Sequence, residues 1–145
     1  MTCTFFGHTY PPAGTKEKIR KAVINLIENH SVDMFYVGNH GFFDGEVRDV
    51  LMELSKTYDI DYRVVLSKIP GENEPFLKSI EEHTLVPERL ELILPKFRII
   101  HRNRWMIKKS DYVITYIDDP NGRGAARFAA EAERRGKKII KLGMF

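Results

Sequence analysis

The chain has 145 residues, a length that favours one domain with its own hydrophobic core. Its 43% hydrophobic and 30% charged residues are typical of a soluble globular protein, and no apolar run approaches the ~20 residues of a membrane span. The formal net charge of +3 does not indicate a nucleic-acid-binding protein, because basic and acidic residues are interleaved along the predicted helices.

Cys3 is the single cysteine and lies inside an apolar run, so no disulfide can form within the chain. This cysteine usage fits a reducing compartment, and the N-terminus lacks the basic-then-apolar pattern of a secretory signal. We therefore expect a cytoplasmic protein. One cysteine cannot build a zinc site and the histidines show no metal-ligand spacing, so we expect no metal.

The first half of the chain alternates apolar runs with helical patterns. Residues 1–7 predict a strand, and Thr15 is a candidate cap for a helix over 16–29 whose apolar residues recur three and four apart. Residues 33–38 predict a buried strand and residues 42–58 a second helix. A third strand is predicted at 62–66.

The second half begins with an irregular excursion at 70–95, rich in proline and acidic residues. We expect a short helix at 76–82 within it, and favour a plain surface loop over a lid. After it the pattern predicts a short strand at 97–100, a helix at 102–109 and a strand at 112–117. A helix at 124–135 and a strand at 138–142 complete the chain.

Strands that alternate with helices predict parallel βαβ units. We therefore expect a single domain over residues 1–145. Its fold should be α/β, a three-layer, Rossmann-like, doubly wound and mostly parallel sheet of about five or six strands with helices on both faces. Ligands bind such sheets at the carboxyl ends of the strands. Small or polar residues follow three predicted strands, at Gly7-His8, at Gly38-Asn39 and at 118–124, so we expect a site at that edge.

The glycine turn before the last helix is the strongest candidate within that edge. Gly122, Arg123, Gly124 and Ala125 connect a buried strand to a helix. Glycine lets the backbone approach an anion closely, and the first amides of the helix can donate to it. The pattern predicts a phosphate site, with an ordinary strand-to-helix turn as the alternative.

Several blocks of the sequence occur together in a known family. They lie, in order, at residues 7–8, 35–39, 41–44, 96–97, 102–106, 110–114 and 122–125. In these blocks the chain resembles the SLOG superfamily, and within it the small YpsA-like proteins. Relatives in that superfamily are the DprA/Smf Rossmann domain and the "lysine decarboxylase-like" LOG proteins. The resemblance covers nearly the whole chain and implies a Rossmann-like domain that binds a nucleotide or nucleotide-derived ligand.

LOG enzymes hydrolyse the N-glycosidic bond of nucleoside monophosphates, and the resemblance extends to part of their motif. Arg102, Met106 and Ser110-Asp111 match its first half, and Gly122 and Gly124 match two of its three glycines. The first motif glycine is replaced by Asn121 and the threonine by Ala125. The motif's glutamates fall on Arg127 and Phe128, and Thr9 stands where many relatives have arginine. These departures weaken the implied glycosidase activity.

Individual residues carry two interpretations each. Arg102 can grip a phosphate or ribose through two hydrogen bonds, or it can be a surface arginine. Asp44 and Glu46 can supply the carboxylate that a glycosidase needs, or compensate the charge of a helix N-terminus. His8 can contact the ligand, although a lone histidine more often has no such role.

Two functional hypotheses follow. The first is a nucleotide-binding sensor or regulator that requires no cofactor. The alternative is an N-glycosidase or phosphoribohydrolase acting on a nucleoside phosphate or on an NAD- or ADP-ribose-like metabolite. A DprA-like role in binding single-stranded DNA is disfavoured, because it would need a basic groove with exposed aromatic residues. The alanines at 125–135 allow a homo-oligomer, with close packing on the sheet as the alternative.

Overall fold

The computed structural model describes residues 1–8, 10–69, 83–121 and 124–145. These residues form a six-stranded, all-parallel sheet with four α-helices. The strands are β1 (Thr2–Gly7), β2 (Met34–Val37), β3 (Asp61–Val65), β4 (Thr84–Leu85), β5 (Tyr112–Tyr116) and β6 (Lys138–Lys141). The helices are α1 (Thr15–His30), α2 (Gly41–Leu54), α3 (Arg98–Lys109) and α4 (Ala125–Arg134), with short 3-10 turns at Leu90–Leu92 and Pro95–Phe97.

The order of the strands places β1 at the switch point of the sheet. The order is β4-β3-β2-β1-β5-β6, so the chain moves outward in one direction from β1 to β4 and in the other from β5 to β6. β1 and β5 run side by side, with Gly7 paired to Tyr116 at their carboxyl ends. The loops that leave these two strands diverge, and this creates the crevice where doubly wound sheets bind ligands.

Two hydrophobic layers confirm the predicted three-layer architecture. α1 and α2 cover one face of the sheet, where Phe5 packs with Phe35 and Phe43. α3 and α4 cover the other face, where Phe6 packs with residues such as Phe128. Phe5 and Phe6 are neighbours in β1 and point to opposite faces, as the alternation of a strand requires. β1 is apolar on both sides because it is buried on both sides.

The connection between β3 and α3 differs most from expectation. The predicted strand at 97–100 is wrong, because Pro95–Phe97 is a 3-10 turn and α3 begins at Arg98. The Arg98 side chain is buried and its Nε donates to the Ile93 carbonyl (2.9 Å), which fixes this entry. The sixth strand is instead β4, two residues that pair with Val64 and Val65 at the sheet edge. The predicted helix at 76–82 lies outside the described residues.

Smaller differences concern helix ends. Gly14, not Thr15, caps α1, and the Thr15 hydroxyl donates to the Pro12 carbonyl (2.8 Å). In α4, Ala126 and Ala132 are buried, which is the expected result of close packing on the sheet. No helix within the described ranges has the length and apolar character needed to cross a membrane.

Candidate functional site

A cavity of about 290 Å³ opens at the carboxyl edge of the sheet. It lies beside the ends of β1 and β2 and is bounded by the first turns of α2 and α4 and one side of α3. The structure brings together there residues from every segment that the sequence predicted to converge. Those lining the cavity are Gly7, His8, Gly38, Asp44, Arg102, Gly124 and Ala125.

Arg102 is the buried cation of this cavity, with only 3% of its surface exposed. Its Nε donates to Asn103 Oδ1 (2.8 Å), and its Nη1 donates to the Val65 carbonyl (3.1 Å) and to Asn39 Oδ1 (3.2 Å). None of the described residues accepts a hydrogen bond from Nη2. The guanidinium is thus fixed through Nε and Nη1, while Nη2 can donate to a bound group. Such a donor arrangement suits a planar or tetrahedral anion.

Asp44 faces Arg102 across Gly38. A Cβ atom on Gly38 would lie 2.8 Å from Asp44 Oδ2 and 3.0 Å from Arg102 Nη1. Any residue other than glycine at position 38 would therefore force one of these two side chains to move. Burial raises the pKa of Asp44, opposed by the hydrogen bond that the His40 backbone N–H donates to Oδ2 (3.0 Å) and by the charge of Arg102. Burial likewise lowers the pKa of Arg102, and Asp44 opposes that shift. Both groups are therefore disfavoured in their charged forms by desolvation.

The end of β1 is shaped by packing beneath the cavity. A Cβ on Gly7 would lie 2.4 Å from the ring of Phe43, which is fully buried in the first turn of α2. Glycine at position 7 therefore lets α2 approach β1 closely and brings Asp44 to the cavity wall. Packing against Phe43 therefore explains why position 7 is glycine, independently of any contact with a ligand.

His8 ties two loops together at the same edge. Its Nε2 accepts a hydrogen bond from the Asp118 backbone N–H (3.1 Å) and lies 3.0 Å from Asp118 Oδ1. The first contact needs a neutral ring protonated on Nδ1, whereas a protonated ring would exchange it for an ion pair with the carboxylate. Either arrangement joins the end of β1 to the loop after β5 and closes one side of the cavity.

The amino end of α4 opens onto the cavity at Gly124 and Ala125. Gly124 has φ 65° and ψ −107°, a conformation that side-chain-bearing residues avoid, and no side chain caps the helix. The Phe128 N–H donates to the Gly124 carbonyl (3.1 Å), so the preceding amides of the first turn have no acceptor within the helix. The positive end of the helix dipole adds to these donors.

Other predicted residues lie away from the cavity wall or outside the described residues. Asn39 does not line the cavity and reaches the site through its hydrogen bond with Arg102. Glu46 does not line the cavity either, and its carboxyl group interacts electrostatically with Lys16 and Asp49. Gly122 and Arg123 lie outside the described residues. The roles predicted for them stay predictions.

The Ser110-Asp111 pair lies at the amino end of β5, away from the cavity. Asp111 Oδ2 accepts from the Thr2 backbone N–H (3.0 Å), and the Asp111 N–H donates to the Thr2 carbonyl (2.8 Å). This reciprocal pair joins β1 to β5 where both strands begin. Its role in the fold is therefore structural.

Sequence reasoning singled out Arg102 as a ligand contact but did not predict that one whole face of α3 lines the cavity. Ile99, Arg102, Asn103 and Met106 all line it, at the i, i+3, i+4 and i+7 spacing of one helical face. That spacing was visible in the sequence, but two of its members are polar. A mixed polar and apolar face is not distinguishable from a solvent-facing one until the neighbouring strands are placed.

The described residues contain no group of three or more His, Cys, Asp or Glu side chains arranged to hold a metal ion. The polar groups that line the cavity include the Arg102 guanidinium, the Asp44 carboxyl group, the imidazoles of His8 and His40, and the start of α4. No protein-family model matches the sequence, and no curated protein matches it.

Proposed function

We propose that the cavity binds a nucleotide or nucleotide-derived ligand and that the protein is a sensor or regulator of the SLOG type. The observation that carries this proposal is the buried guanidinium of Arg102, which lines the same cavity as the uncapped start of α4. Two independent sources of positive potential converge there, and a phosphate is the metabolite group that uses both. A cytoplasmic location, where such metabolites are abundant, belongs to the same proposal.

The other wall of the cavity suits a sugar. Asp44 Oδ2 accepts from the His40 N–H, and its remaining lone pairs can accept from ribose hydroxyls. The volume of about 290 Å³ is near the lower limit of about 300–1,000 Å³ for small-molecule pockets. This size suits the sugar-phosphate part of a nucleotide, so the remainder of a larger ligand such as NAD or ADP-ribose would extend beyond the cavity.

Charge at Ala125 provides the test. An aspartate in the first turn of α4 stabilises the helix by about 0.3–1 kcal/mol but places a negative charge at the cavity wall. Ala125 is half-buried against the Phe6 and Phe128 side of the core, so the larger side chain of Ala125→Asp offsets part of this gain. We expect Ala125→Asp to fold and to lose AMP binding in calorimetry. Ala125→Asn, of nearly the same size without the charge, should retain most of the affinity. Equal AMP affinity in wild type and Ala125→Asp would refute the proposal.

A second candidate function is favoured by Asp44. A cavity carboxyl whose pKa is raised by burial can hold or accept a proton, as general acid–base catalysis requires. In N-glycosidic hydrolysis, water would add to the anomeric carbon, the bond to the base would break, and the base would leave with a proton. Asp44 is the group placed to take the proton from water or give it to the base.

Release of free adenine from AMP, measured by chromatography, tests this activity. We expect Asp44→Asn to abolish the release, while Glu46→Gln, which removes a carboxylate outside the cavity wall, should leave it intact. If the wild type binds AMP but releases no adenine, the glycosidase activity is contradicted and the sensor function is supported.

A further inference from the structure

Two aromatic side chains stand in solvent near the cavity with no role in the core. Tyr10 is 78% exposed and Phe42 is 64% exposed, more than any other aromatic side chain within the described ranges. Their ring centroids are 5.5 Å apart with an angle of 41° between the ring planes. The two rings therefore contact each other, and each keeps much of its surface free.

Their positions in the chain place them at the edge that carries the cavity. Tyr10 follows His8 by two residues and Phe42 follows His40 by two residues, and both histidines line the cavity. Two residues of extended chain span at most about 7 Å. Tyr10, which follows β1, and Phe42, in the first turn of α2, thus bring one ring each to a shared location near the cavity.

We propose that Tyr10 and Phe42 form a stacking platform for the base of a nucleotide whose sugar-phosphate part lies in the cavity. The inference rests on the proposed function and adds to it the class of ligand and the residues that recognise its planar end. Base–aromatic stacking tolerates different bases because every base has a π-face. Exposure of large aromatic surface is unfavourable in water, and a stacked base removes part of the surface that the two rings leave open.

The platform also explains the size of the cavity. About 290 Å³ is enough for a phosphate and a ribose against Arg102, Asp44 and the start of α4, and it leaves the base to be held elsewhere. A base that stacks outside the cavity needs an exposed aromatic ring close to it. Tyr10 and Phe42, each two residues from a histidine that lines the cavity, supply such rings.

Ribose 5-phosphate and AMP separate the two parts of the site, because they share the sugar-phosphate and differ in the base. We expect the wild type to bind AMP at least about tenfold more tightly than ribose 5-phosphate. The double variant Tyr10→Ala/Phe42→Ala should lose about tenfold or more in AMP affinity and keep its affinity for ribose 5-phosphate. Phe145→Ala, a change of a 43% exposed aromatic residue outside the cavity, is the control and should change neither affinity.

The outcomes distinguish this inference from the proposed function. AMP and ribose 5-phosphate bound equally well by the wild type, or an unchanged AMP affinity in the double variant, would overturn the platform while leaving the phosphate site in place. Failure of both ligands to bind the wild type would overturn the platform and the proposed function together. Tighter binding of a single-stranded oligonucleotide than of AMP would also overturn the inference, because the two rings would then bind the bases of a nucleic acid and not of a mononucleotide.

Purine preference gives a second measurement that does not depend on a variant. Larger ring systems stack over more surface, so AMP and GMP should bind more tightly than UMP and CMP if the rings hold the base. Equal affinities for all four nucleotides would contradict stacking as the source of the base contribution.

Discussion

Asp44 and Arg102 are held in the cavity at a cost to the folded protein without ligand. Burial disfavours the charged form of each group, and their mutual attraction offsets only part of that effect. Ionisable groups whose pKa values are shifted by desolvation inside a cleft are typical of functional sites. The arrangement is understandable if a ligand completes the hydrogen bonding that the fold leaves open.

Asp44→Asn should therefore stabilise the protein without ligand at neutral pH. An acid whose pKa is raised on folding binds more protons in the folded state, so the wild type loses stability as the pH rises above the ordinary value of 3.8. Asparagine can still accept from the His40 N–H but carries no charge. We expect a higher melting temperature than the wild type at pH 7 and a difference that shrinks toward pH 4.

Thermal unfolding across pH measures this difference, with Asp59→Asn, at an exposed position, as the control. A variant less stable than the wild type at pH 7, or a stability difference that does not vary with pH, would show that burial of the Asp44 carboxylate has no net cost.

Two glycines near the cavity should respond to alanine in opposite ways. In Gly7→Ala the new methyl group meets the buried Phe43 ring, and overpacking of this kind costs about 1–3 kcal/mol. In Gly45→Ala the nearest atom is Arg48 Nη2 at 3.7 Å, so α2 should gain about 0.5–1 kcal/mol from the better helix former. Denaturant unfolding measures both changes, and a Gly7→Ala variant as stable as Gly45→Ala would contradict the close packing of α2 on β1.

The elements that could be predicted from the sequence are those with a strong period or a long apolar run. α1 and α2 show apolar residues at helical spacing, and β1 and β5 are apolar runs because both of their faces are buried. β4 was missed because two residues carry no period, and its pairing with β3 comes from tertiary contacts alone. The start of α3 was misassigned because the apolar residues at 97–100 resemble a short strand.

The candidate site was partly predictable for the same reason. Strand ends that carry small or polar residues meet at one edge of a parallel sheet, so Gly7, Gly38 and Gly124 could be grouped before their positions were known. The inward face of α3 could not be assigned, because burial of Arg102 depends on its acceptor at the Val65 carbonyl, 37 residues earlier. Long-range partners of this kind leave no local pattern.

At the level of α4, the conformation of Gly124 separates a structural from a functional requirement. Gly124→Ala has space for the methyl group but must adopt φ 65° and ψ −107°, which costs about 1–3 kcal/mol or forces the turn to move. Gly136→Ala at the other end of the helix, with φ 77°, is the matched control. We expect both variants to lower stability in denaturant unfolding and only Gly124→Ala to weaken AMP binding. An equal effect of both variants on AMP affinity would contradict the claim that the start of α4 forms part of the binding site.

The whole molecule is organised around the switch point between β1 and β5. Helices of both layers contribute to the cavity, α2 from one face and α3 and α4 from the other, so a ligand there contacts both halves of the doubly wound sheet. The opposite end of the sheet is joined by hydrogen bonds such as those that the backbone and side chain of Asp111 make with the Thr2 backbone. The candidate binding cavity thus lies at the carboxyl ends of β1 and β5, and the hydrogen bonds that join the two strands through Asp111 lie at their amino ends.

Amide chemical shifts recorded during titration with AMP test the location of this site most directly. The account predicts that the largest changes occur at Gly38, His40, Gly124 and Ala125, with saturation at a common dissociation constant. Amides of 138–141, in the edge strand β6, should remain unchanged. Changes concentrated at 138–141, or none at saturating AMP, would contradict the claim that the carboxyl-edge cavity is a nucleotide site.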